Sequence, residues 1–147
     1  MRVFEVRRRS AVAVPSDATL RQAAALMEAS GLGSLAVLDG DELVGIVTDR
    51  DLVRRGMARG MPDDARVDAV MSAPVITVDA DADVREAMEL FRANAVRRLA
   101  VLEDGRLRGV LSLDDLLVEL AHQFDLLIHP VLAEIVTPHH ESSLPVA

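Results

Sequence analysis

Two short segments of the chain carry the same arrangement of polar side chains. Gly45-Ile46-Val47-Thr48-Asp49-Arg50-Asp51 and Gly109-Val110-Leu111-Ser112-Leu113-Asp114-Asp115 both read Gly-h-h-[Thr/Ser]-x-x-Asp, where h is apolar. In each, the hydroxyl residue stands where an apolar strand gives way to a helix. A helix start offers free backbone N–H groups and the positive end of the dipole, which suit an anion. The acid one turn on, Asp51 or Asp115, can accept two hydrogen bonds from a vicinal diol such as a ribose 2′,3′-diol. The same spacing also fits a helix N-cap with an acid at N3, which needs no ligand. On the residues alone both readings stay open. Gly45 and Gly109, inside the strand, admit close approach of a ligand or of another backbone.

The other reactive side chains point to less. His122, His129, His139 and His140 have no Cys and few carboxylates at ligand spacing, so no metal is expected. No nucleophile elbow, zinc signature or Gly-rich phosphate loop occurs, so no catalytic residue and no enzyme is expected. Asp114 and Asp115 are adjacent on a helix and point to different faces. Arg7-Arg8-Arg9 reads as a solvated run, the sharper alternative being that it supplies positive charge to a cleft.

The two segments belong to a longer repeat. Residues 12–53 align without a gap on residues 76–117 at a constant offset of 64, with 15 of 42 positions identical. A duplication of this kind means two copies of one supersecondary unit. Each copy opens with a short extended segment (residues 11–14 and 75–78). A helix follows, with Leu20, Ala23, Ala24 and Met27 or Val84, Ala87, Met88 and Phe91 at helical spacing. Thr19-x-x-Gln22 and Asp83-x-x-Glu86 supply capping-box patterns at the helix starts. Apolar runs at 35–38 and 99–102 join runs at 43–47 and 107–111 through polar loops with Gly, which predicts hairpins. A second helix starts at Thr48 or Ser112. The unit is β-α-β-β-α, an α/β (α+β) fold.

About 50 residues cannot bury both faces of so small a sheet. Packing the two sheets face to face with pseudo-twofold symmetry would close one core and leave two equivalent clefts between the copies. Residues 1–66 then form repeat 1 with its linker, 67–121 repeat 2, and 122–147 a helical extension and tail. In the extension Phe124, Leu127, Ile128, Val131, Leu132, Ile135 and Val136 make an apolar stripe, read as core or dimer interface. Pro130 should bend or break that helix. Residues 137–147, with two Pro and two Ser, read as frayed.

Composition excludes several classes. The 147-residue chain carries a net charge of −8 and only three aromatic residues, all Phe, which argues against a nucleic-acid surface. Cys is absent, so there is no disulfide or thiolate site; this fits a cytoplasmic protein. No uninterrupted apolar run approaches the length of a membrane span, and Pro15, Ser16 and Asp17 interrupt any signal-peptide pattern after the N-terminal arginines.

The period, the unit and the Gly-h-h-[Thr/Ser]-x-x-Asp ending resemble a tandem pair of CBS (cystathionine-β-synthase) domains of the stand-alone type. Asp68-Ala69-Val70-Met71-Ser72-Ala73-Pro74-Val75-Ile76-Thr77-Val78 is similar to that family's lead-in. Thr48-Asp49-Arg50-Asp51-Leu52 and Val96-Arg97-Arg98-Leu99-Ala100-Val101 are similar as well, and the resemblance covers residues 3–121. It implies a regulatory module that binds adenosine-containing ligands (AMP, ADP, ATP or S-adenosylmethionine) in the clefts, with no obligatory cofactor. Asp51 and Asp115 would hold ribose hydroxyls, and Thr48 and Ser112 ribose or the first phosphate. Val12, Leu32 and Gly33 would face Asp115, while Ile76, Val96 and Arg97 would face Asp51. Arg98 matches a phosphate-contacting position, with Arg50 and Arg97 as secondary candidates. Two modules would pair into a flat homodimer acting on an unidentified protein effector. Repeat 1 departs from the pattern: Arg7-Arg8-Arg9-Ser10 replaces the Met-Ser/Thr-x-Pro lead-in, and Gly33-Ser34 stand where repeat 2 has Arg97-Arg98. Unequal clefts are therefore expected. The alternative is a ligand-independent dimeric interaction module.

Overall fold

Val3 and Val6, at the head of the chain, are fully buried, yet not against the segment that follows them. A computed structural model describes residues 1–6 and 10–136. In it the first helix, α1 (Val3–Val6), packs into the core of repeat 2 with Val78, Val84, Phe91, Leu99, Leu111 and Leu116. Val67 and Val70, on the lead into repeat 2, pack into the core of repeat 1 with Leu20, Met27, Leu35 and Val47. Each repeat thus completes its core with residues that precede the other. The expected single core is two clusters, because the helices cover the outer sheet faces separately.

Repeat 1 comprises β1 (Ala13–Pro15), α2 (Leu20–Ser30), β2 (Ser34–Asp39), β3 (Glu42–Thr48) and α3 (Asp49–Asp51). α3 runs on through a wider coil over Leu52–Gly56 and a tighter one over Met57–Arg59. Repeat 2 comprises β4 (Thr77–Asp79), α4 (Val84–Asn94), β5 (Arg98–Glu103), β6 (Arg106–Ser112) and α5 (Leu113–Val136). Each sheet has three strands, the first parallel and the third antiparallel to the middle one. The registers correspond residue for residue: Val37 pairs with Gly45 and Val101 with Gly109, each followed by an irregularity.

The lead-ins also cross between sheets. Ser72 pairs with Ile46 on β3, through N–H···O bonds of 2.8 and 3.1 Å, and Ser10 bridges Gly109 on β6. Alternation along the strands puts Leu35 and Val37, or Leu99 and Val101, into the two cores. Ala36 and Ala100, on the opposite faces, are also buried, and a cavity at the hairpin end takes its walls from both sheets. The sheets face one another across small side chains.

The first capping box is complete: Gln22 N–H donates to Thr19 Oγ1 and Thr19 N–H to Gln22 Oε1. The second is a simple N-cap and not a box, since the Asp83 carboxylate accepts from Arg85 N–H and not from Glu86 N–H. The hairpin loops are tighter than expected, with Asp39 paired to Glu42 and Glu103 to Arg106. Asp104 and Gly105 both have positive φ, the combination a two-residue turn between twisted strands needs.

α5 departs furthest from expectation. Its 24 residues run through Pro130 without ending. The lost N–H deprives only the Leu126 carbonyl, on a solvent-exposed stretch where water can replace the bond. The stripe read as core or dimer interface is not core: Phe124, Leu127, Ile135 and Val136 are all more than 60% exposed in the single chain. By length and composition alone α5 is apolar enough to cross a membrane, although Glu119, His122, Asp125 and His129 leave no long unbroken apolar run in it. Arg7–Arg9 and residues 137–147, with His139 and His140, lie outside the described residues.

Candidate functional site

Thr48 and Ser112 end β3 and β6 and cap the helices that follow. Asp51 N–H donates to Thr48 Oγ1 at 3.1 Å, and Thr48 N–H donates to Asp51 Oδ2 at 3.0 Å, a full capping box. In repeat 2, Asp115 N–H donates to Ser112 Oγ at 3.0 Å. The capping chemistry is therefore real in both copies. It leaves the two acids in different states. Asp51 has one oxygen committed to Thr48 and the other 3.9 Å from Arg55. Among the described residues the Asp115 carboxylate has no hydrogen-bond or ion-pair partner.

These junctions are tied to the preceding helix-to-strand turns by matched bonds. Asp49 N–H donates to the Gly33 carbonyl at 3.0 Å and Leu113 N–H to the Arg97 carbonyl at 2.8 Å. Ala36 N–H donates to the Val12 carbonyl at 2.9 Å and Ala100 N–H to the Ile76 carbonyl at 3.0 Å. The matched bonds set the same frame twice and bring three segments of the chain to each of two clefts.

The first cleft, about 300 Å³, is lined by Ile46, Thr48, Arg50 and Asp51 of repeat 1. Ser72, Pro74, Val75 and Ile76 close it from the lead-in, where the Ala73–Pro74 bond is cis, and Ala95, Val96, Arg97 and Arg98 from repeat 2. The second, about 290 Å³, is lined by Val110, Ser112, Asp114 and Asp115 of repeat 2, with Ser10, Ala11 and Val12 and with Leu32, Gly33 and Ser34. Arg98 lines this cleft too. Thr48, Arg50, Asp51, Ile76, Val96 and Arg97 thus line the first cleft, Val12, Leu32, Gly33, Ser112 and Asp115 the second, and Arg98 both, whereas Gly45 and Gly109 line neither.

Sequence reasoning does not single out Ile46, Ser72, Pro74, Val75, Ala95, Ser10, Ala11, Ser34, Val110 and Asp114, which also line the clefts. The offset of 64 held a signal for two of them, since Asp114 corresponds to Arg50 and Ser34 to Arg98. Gly45 proves to serve a chain contact. A Cβ there would overlap Met71 Sδ and stand 2.8 Å from Met71 Cγ and 3.1 Å from the Ser72 carbonyl. Among the described residues no three His, Asp or Glu side chains gather as a metal would require.

The electrostatics of the clefts differ. Three guanidinium groups and one carboxylate line the first; one guanidinium and two carboxylates line the second. Arg97 Nη2 donates to Asp114 Oδ1 at 2.8 Å, linking the two sites. The first cleft can balance a phosphate; the second has less charge to offer one.

The family model for the CBS domain matches residues 3–58 and 67–122. The chain belongs to the CBS domain family. This tandem CBS pair is similar to the uncharacterized protein MK0525 of Methanopyrus kandleri, at 37% identity over 78% of the chain and 60% of that protein. It is 38% identical to the uncharacterized protein YlbB of Bacillus subtilis over 65% of the chain and 66% of that protein. The chain therefore spans less than two thirds of the length of either. Among solved structures, the CBS domain protein PAE2072 of Pyrobaculum aerophilum, complexed with AMP, matches with a TM-score of 0.69 and 31% identity, over 83% of this chain and 99% of that one.

Proposed function

We propose that this CBS pair is a regulatory module that binds adenosine-containing ligands of the AMP, ADP, ATP or S-adenosylmethionine class in its two inter-repeat clefts. One observation carries the reading: in each cleft a Thr/Ser and an Asp from one repeat face apolar residues of the other. The AMP complex of PAE2072 supports it. Asp51 and Asp115 would accept the ribose diol. Ile76 and Val96 in one cleft, Val12 and Leu32 in the other, would flank the adenine. Arg98, with Arg97 and Arg50, would take the phosphate as a charge-assisted pair. Residues 1–66 and 67–121 are the functional repeats in this reading, and 122–147 an extension. The module pairs into a homodimer in the cytoplasm and acts on a protein effector, with no catalysis of its own. Ligand shifts the conformational equilibrium only by its differential affinity for the two states.

Calorimetric titration with AMP, ATP and S-adenosylmethionine tests this. Binding tighter than about millimolar is expected, about −4 kcal/mol, and it should weaken in Asp51→Ala combined with Asp115→Ala. No binding of any of the three would sink the reading. A ligand-independent dimeric interaction module is the second reading, favoured by one observation: the extension's apolar face is open, with Leu127 and Ile135 more than 70% exposed.

A further inference from the structure

Arg98 opens β5, is half-buried, and lines both clefts. Its guanidinium has no hydrogen-bond or ion-pair partner among the described residues. One planar fork can hold one phosphate bidentately, so Arg98 serves one cleft at a time, whereas Arg50, whose guanidinium also has no partner among the described residues, lines the Asp51 cleft alone. Its neighbour Arg97 lines the Asp51 cleft but is bonded at 2.8 Å to Asp114, which lines the Asp115 cleft. Both partners of that pair are well exposed, at 64% and 72%. Such a pair is weak and exchanges readily for a better acceptor.

A phosphate in the Asp51 cleft is that acceptor. It draws Arg98 to its own side and competes with Asp114 for Arg97. The Asp115 cleft then loses its guanidinium and gains an uncompensated carboxylate beside Asp115. A second phosphate there meets two negative charges and no cation from these residues. A ligand with no anionic group meets no such penalty.

We propose that Arg97 and Arg98 couple the clefts negatively: a nucleoside phosphate in the Asp51 cleft turns the Asp115 cleft into a site for an uncharged or cationic nucleoside. The proposal rests on the adenosine-ligand reading and adds to it a ligand class for each cleft and a link between them. By linkage, a phosphate in the Asp115 cleft weakens the Asp51 cleft by the same factor.

The test is calorimetry on the full chain with AMP and with adenosine. Wild type should bind one AMP, with a second site at least about tenfold weaker, equivalent to 1.4 kcal/mol. AMP-saturated protein should still bind adenosine at one site. Asp114→Asn removes both the competitor for Arg97 and the unpaired charge, so the gap between the two AMP affinities should narrow to about threefold or less. Arg98→Ala should weaken the tighter AMP site at least about tenfold, and an unchanged AMP affinity would overturn the role given to Arg98. Circular dichroism confirms that both variants fold. Two equal, independent AMP sites in wild type, or an unchanged gap in Asp114→Asn, would overturn the coupling while the adenosine reading stands. No heat with either AMP or adenosine would overturn that reading and the coupling together.

Discussion

Gly45 lies directly beneath Met71, so close that a Cβ on the glycine would overlap the methionine sulfur. The space is taken by the segment that leads from repeat 1 into repeat 2, whose next residue pairs with Ile46. Gly45→Ala must displace Met71 and crowd the Ser72 carbonyl. We expect a loss of roughly 1–3 kcal/mol, the usual cost of overpacking, measured by urea denaturation. Met71→Ala in the same background should recover part of it. An alanine at position 45 that leaves stability unchanged would contradict the packing.

Ala95 ends α4 in the left-handed conformation at φ 50°, where its counterpart Gly31 ends α2 at φ 66°. An L-residue with a Cβ costs roughly 1–2 kcal/mol there, and glycine loses about 0.5–1 kcal/mol of chain entropy. Ala95→Gly should therefore stabilise the protein by about 0.5–1 kcal/mol. Thermal unfolding without ligand is the measurement, and a lowered midpoint would refute the argument.

Asp51 and Asp115 should separate when each is replaced by alanine without ligand present. Asp51 closes a capping box with Thr48, so its loss should cost about 1 kcal/mol. Asp115 makes no side-chain bond among the described residues; it contributes only through the helix dipole, about 0.3–1 kcal/mol. Equal destabilisation would show that the capping difference is inconsequential.

Leu116 and Leu127 lie on one helix with opposite surroundings, 1% and 73% exposed. Leu116→Ala should cost about 2–5 kcal/mol by leaving a cavity in the core of repeat 2. Leu127→Glu should change the stability of the monomer by no more than about 0.5 kcal/mol. Denaturant titration at low protein concentration distinguishes them.

The repeat made most of the architecture legible. Strand order, hairpins and the capping of Thr19, Thr48 and Ser112 follow from local patterning and from the offset of 64. So did the membership of the clefts, once the resemblance said which segments meet. What stayed hidden is non-local. Nothing in Val3-Phe4-Glu5-Val6 says that it serves the other repeat's core, because periodicity reports which face is apolar and not which partner covers it. Pro130 does not end α5, because on this exposed stretch water can take the one bond it removes and the turns on either side keep their own. The reach of α5 to Val136 follows from its apolar stripe, whereas scattered polar residues conceal how apolar the helix is as a whole. That Arg98 lines both clefts is not legible either, since the offset of 64 pairs each residue with one twin and does not show that a single side chain can border two sites.

The exchanged lead-ins have a consequence for how the molecule comes apart. Val3 and Val6 plug one repeat, Val67 and Val70 the other, and each plug sits upstream of the repeat it does not serve. Neither half can be cut free as a self-sufficient piece. Two cores laced in this way must melt as one, so damage to either repeat is felt at once at both clefts.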